Sequence, residues 1–162
     1  MPVFRADEPG LLAERELERM DPMSAATWDT LCDFLATQYR LLGSAPHAVE
    51  LRFEQSETGE TQDLRVERVL LFGEPWVLLR ADLGAQSWST QTCLERNAGW
   101  PGLALVLLGE RFVLQSAMPL RITDPAELNR ALRFMAHQAL LLRAHGVTGV
   151  PAAPSDALSH WA

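Results

Sequence analysis

The sequence predicts an α+β domain, a five-stranded antiparallel sheet with flanking helices in the order α-α-β-β-β-α-β-β-α. Three observations predict it. From Ala48 to Glu54, Val49, Leu51 and Phe53 alternate with Glu50, Arg52 and Glu54, the period of two that belongs to a strand with one covered face. Leu103 to Leu108 and Arg111 to Leu120 flank Gly109-Glu110, whose leading glycine suits a two-residue type II′ hairpin turn. Beyond Asp124-Pro125 the apolar residues Leu128, Leu132, Met135, Ala139 and Leu142 recur at helical spacing.

The elements follow in order. Residues 9–20 carry Leu12, Glu16 and Arg19 at helical spacing with mixed charge, a short exposed helix that Asp21-Pro22 stops. Ser24 caps a longer helix through about Leu42, with Trp28, Leu31, Leu35 and Tyr39 on one face and Cys32 and Phe34 beside them. Gly43 ends it, and Gly43 to Pro46 reads as the connecting loop. After the strand at 48–54 and a polar turn, Leu64 and Val66 alternate, whereas Val69 and Leu71 fall on the opposite parity, so a bulge near Glu67-Arg68 is expected. Gly73-Glu74-Pro75 turns into a nearly continuous apolar strand from Trp76 to Ala81, which completes a meander of three strands.

Ser87 or Ser89 caps a brief helix through Asn97, with Leu94 as its inward anchor and Cys93 beside it, and Gly99-Trp-Pro-Gly102 breaks it. The hairpin follows and ends at Pro119. The last helix starts with Asp124 as cap, Pro125 in the first turn and Glu127 in capping-box position, and runs to about His145, where Gly146 terminates it. The stretch 147–162, rich in Pro, Ala, Ser and Gly, reads as a flexible tail, so the expected single domain is 1–146. A length of 162 residues and a 48% hydrophobic composition suit one ordinary core.

The basic residues are 14 arginines and no lysine, against 21 acids, for a net charge of −7. That sign disfavours nucleic acid and anionic lipid. All of the net charge lies in residues 1–60, as a solvated surface or as an acidic face that steers a basic partner. No stretch has the order of a secretory signal or the length of a membrane span, and the expected location is cytoplasmic.

No motif points to catalysis. Cys32 and Cys93 are neither a redox pair nor half a zinc site and read as small buried hydrophobes. His137 and His145, eight residues apart on a helix, stand about 12 Å apart in rise, too far to share a metal. Phosphate-binding glycine loops are missing, and Ser87 precedes a helix rather than occupying a nucleophile elbow. Glu14 and Glu18 are exposed carboxylates balanced by Arg15 and Arg19. The expectation is therefore a non-enzyme with no catalytic residue, no metal and no cofactor. Arg130, Arg133 and Arg143 are solubilising, or bind an acidic or phosphorylated group.

Five tryptophans are many for this length. Trp88 and Trp100 bracket the short helix, as anchors for a partner or as packing of that helix on the sheet. With helices mainly on one side, the second sheet face needs cover, which self-association supplies.

The order of elements, with Leu94-x-x-Asn97, Leu103-Ala-Leu-Val-Leu-Leu, Arg111-Phe-Val-Leu-Gln and Pro119-Leu120, resembles the YbjN family and its structural relatives, the type III secretion chaperones. The resemblance covers about residues 24–146. It implies an antiparallel α+β fold, commonly dimeric, without catalytic residues, that binds an extended segment of a client protein or acts in bacterial stress response and regulation. The function expected from the whole sequence is a homodimeric protein-binding module, with Trp88, Leu94, Trp100 and Leu103 at or beside the contact. The alternative is a regulatory domain whose pocket, between the last helix and the sheet, holds a small ligand near Arg130 or Arg133.

Overall fold

The structure, a computed structural model, describes residues 22–100 and 102–149. The expected leading helix at 9–20 lies outside the described residues, as does the expected tail 147–162, Trp161 included, except for residues 147–149, which belong to the last helix. Helix α1 (Pro22–Gln38) leads into β1 (Arg40–Ala45), β2 (Ala48–Glu54), β3 (Thr61–Leu71) and β4 (Glu74–Gly84). Helix α2 (Thr90–Ala98), β5 (Ala104–Leu108), β6 (Arg111–Pro119), a 3-10 turn (Leu120–Ile122) and α3 (Pro125–Gly149) follow. The sheet is antiparallel and its strand order is β1-β2-β3-β4-β6-β5. It has six strands rather than five.

The sixth strand is β1, from residues expected to be helix and loop. Helix α1 stops at Gln38, and Arg40 to Ala45 pairs with β2, with a bulge between Leu41 and Gly43. The apolar stripe of α1 does hold: Trp28, Leu31 and Leu35 are buried and Tyr39 packs against them from the bend. Trp28 Nε1 donates to the Pro46 carbonyl at 3.0 Å, tying α1 to the β1–β2 turn. Chain that could have extended a helix instead satisfies its backbone on the strongly alternating edge of β2.

The expected bulge near Glu67-Arg68 is absent, because β3 pairs with β2 and with β4 in unbroken register. Gln62, Leu64, Val66 and Arg68 all take the inward parity and are buried. Arg68 takes an inward position that a hydrophobe ordinarily fills, and is 6% exposed. Val69 and Leu71 keep the opposite face, with Val69 across from Trp76.

The hairpin and the last helix form as expected. Leu108 pairs with Arg111 across Gly109-Glu110, with Gly109 at φ 61°. Asp124 Oδ1 accepts the Glu127 amide at 2.8 Å. Leu128, Leu132, Met135, Ala139 and Leu142 are fully buried along α3. Gly146 breaks the regular helix at φ 73°, ψ 178°, beyond which Val147 turns into the core. One apolar core joins the three helices to the inward face of the sheet.

No helix among the described residues packs on the other face, and its centre is charged. Glu50, Arg65, Arg80 and Gln115 stand side by side on four neighbouring strands. Arg65 bonds Glu50 at 2.7 Å and Glu67 at 2.6 Å, and Arg80 bonds Glu67 at 3.0 Å and Gln115 at 3.2 Å. Such a row is content in water. The expectation that this whole face needs a covering copy is thereby corrected: its middle is hydrophilic.

Candidate functional site

Helix α2 has nine residues and is held by its neighbours more than by its own caps. Ser89 stands at the N-cap position, but its side chain makes no cap hydrogen bond. The main restraint is Asn97. Its Nδ2 donates to the Leu105 carbonyl at 3.0 Å and its Oδ1 accepts the Leu105 amide at 2.7 Å, a two-bond clamp onto β5. Asn97 facing β5 turns Cys93, four residues earlier, into the core. Leu94, about 100° further round the helix, then points outward and is 63% exposed. Cys93 is buried as expected, whereas Leu94, expected as the inward anchor, faces out.

Trp100 and Leu103 are 3% and 7% exposed, sealed within the subunit. The Arg96 guanidinium lies 4.6 Å from the Trp100 ring centroid. Trp88 is half-buried, tilted against Phe112 with ring centroids 5.2 Å apart, and lies over Gly146. Of the four residues expected at a contact, Trp100 and Leu103 shape the surface from beneath, Trp88 borders it, and Leu94 is open to a partner. Leu107 and Leu108 on β5, 49% and 46% exposed, were missed by sequence reasoning. The available signal was a strand apolar on both faces, Ala104-Leu-Val-Leu-Leu108, which here is an edge strand. β1 is the edge at the other side of the sheet.

No three His, Cys, Asp or Glu among the described residues are placed to hold a metal ion. Both cysteines are free; Cys93 is buried as expected, whereas Cys32 is only half-buried. Burial, aided by Asp29 and Asp33, pushes the Cys32 thiol up to about 11, and burial raises that of Cys93. Neither is a ready thiolate at neutral pH. No described helix is long and apolar enough to cross a membrane.

A cleft of about 540 Å³ opens between the α1–β1 bend, the end of β2 and helix α3. Asn129, Arg133 and His137 of α3 line it at a spacing of four, with Tyr39, Arg40 and Phe53 on the facing side. Tyr39 donates its hydroxyl to Asn129 Oδ1. Burial raises the Tyr39 pKa and the nearby Arg133 charge partly offsets it. Of the other residues singled out with Arg133, Arg130 is exposed, while Arg143 donates to Gln62 Oε1 at 3.1 Å.

A chain of the HopA1–SchA chaperone–effector complex matches this one with a TM-score of 0.54 at 16% identity, over 77% of this chain and 99% of that one. The two chains share a similar fold. A chain of the ExsC–ExsE complex matches with a TM-score of 0.56 at 14% identity, over 77% of this chain and 96% of that one. A looser match, with a TM-score of 0.46 at 13% identity over 72% and 97% of the two chains, is to the Yersinia pestis type III secretion chaperone SycH in complex with a fragment of YscM2. No protein-family model and no curated protein matches the chain, so the YbjN likeness stays with the residues quoted for it.

Proposed function

We propose that the chain is a non-enzymatic, cytoplasmic, homodimeric protein-binding module, chaperone-like, that holds an extended segment of a client protein. The fold match to a chaperone–effector complex, which spans 99% of the matched chain, is the observation that carries this. Two features of the surface support it. The dimer contact is assigned to Leu94 with the apolar edge strand β5, because a sheet edge with exposed Leu107 and Leu108 is costly to leave in water. The client is assigned to the edge of β1 that no described strand pairs, where an added strand gains backbone hydrogen bonds and side-chain pockets give selectivity. A role in bacterial stress response rests on the YbjN resemblance alone.

The test is native affinity purification from the source organism followed by hydrogen exchange on the recovered complex. A stoichiometric companion that protects the backbone amides of Leu41 to Ala45 is expected. Recovery of the chain without a companion, or a companion that leaves β1 unprotected, would overturn the assignment.

A further inference from the structure

We propose that the cleft beside α3 binds a small organic anion, its carboxylate or phosphate head group held by Arg133 and Arg40 and its apolar body resting on Phe53. The inference is independent of the protein-binding role. The volume of about 540 Å³ falls in the range of small-molecule sites.

The chemistry of the walls selects the ligand. Arg52, Arg65, Arg80, Arg111 and Arg121 are each engaged with a carboxylate. Arg40 and Arg133 make no ion pair or side-chain hydrogen bond with another described residue, and both line this cleft. Because Asn129 Oδ1 is taken by the Tyr39 hydroxyl, the Asn129 amide NH2 is left to donate. Two guanidinium groups and an amide thus offer donors with no acceptor of their own, which an oxyanion supplies. The Tyr39–Asn129 bond also braces the bend against α3, so that the donors are positioned in advance. Glu54 and Glu57, which also line the cleft, disfavour a polyanion and leave a singly or doubly charged head group as the better fit. Phe53, half-buried on β2, provides an apolar surface beside the charges.

The experiment is a titration of the full 15N-labelled chain with benzoate, phenyl phosphate and benzyl alcohol, which share one apolar body and differ in the head group. Saturable shifts of the Tyr39, Phe53 and Asn129 amides are expected with benzoate, phenyl phosphate or both, and the tighter of the two assigns the head group. Arg133 is exposed and holds no structural bond, so Arg133→Ala keeps the fold and is expected to weaken binding about tenfold or more. Arg130→Ala, one turn away on α3, should leave it unchanged. Failure of both anions to saturate, an equal response to benzyl alcohol, or an equal loss in Arg130→Ala would overturn the proposal.

Discussion

At positions 93 and 94 the smaller side chain faces in and the larger one out. Hydropathy ranks Leu above Cys as an anchor, yet a nine-residue helix takes its rotation from whichever contact is strongest. Here that contact is Asn97, which satisfies both backbone groups of Leu105. Replacing Asn97 with Ala leaves those two groups without their partner, at about 1–3 kcal/mol for each that water cannot reach. The Asn97→Ala variant is accordingly expected to unfold at lower urea than wild type, and an unchanged midpoint would show that the clamp carries no weight. Arg68 makes a similar point. Its Nε and Nη2 are buried with no hydrogen-bond partner among the described residues, a cost that periodicity alone cannot reveal because it treats arginine as a surface residue.

Elements were legible where local signals agreed. The alternation of β2, the glycine of the β5–β6 hairpin, the Asp124 cap and the stripe of α3 each combine turn chemistry with the right period, and each forms. Where one local signal stood alone, tertiary pairing decided. Local spacing carries α1 on through about Leu42, but the open edge of β2 recruits Leu41 and Leu42 as β1. The parity change after Val66 invited a bulge, while the continuous ladder to β4 placed Arg68 inside instead. Gly146 was legible as a terminator and is more constrained than that label implies. At φ 73°, ψ 178° it lies where essentially only glycine is tolerated, and a Cβ there would meet the Trp88 indole nitrogen at an ordinary 3.6 Å. Strain, not a clash, is therefore the penalty. Gly146→Ala is expected to cost about 1–3 kcal/mol and to lower the Tm by several degrees in a thermal melt. An equal or higher Tm would contradict the backbone assignment.

For the whole molecule, the sheet divides the surface into regions with different uses. One face carries the helices and the core, the centre of the other is a row of paired charges, and the edges β1 and β5 remain. The sequence pointed to the neighbourhood of residues 88–103 as a contact, but it could not separate residues that line the core from those that face a partner. That distinction depends on how α2 rotates and where β5 ends up in the sheet. The cleft was legible only as arginines on the last helix, since Tyr39, Phe53 and Arg133 meet through tertiary packing.

The central claim is that Leu94 and the apolar edge of β5 are covered by a second copy. Sedimentation equilibrium of wild type and of Leu94→Arg tests it most directly. Wild type is expected at twice the 18.0 kDa of the chain, and the variant at the mass of one chain with an unchanged circular dichroism spectrum. An 18.0 kDa wild-type species at every concentration, or a variant that stays paired, would contradict it.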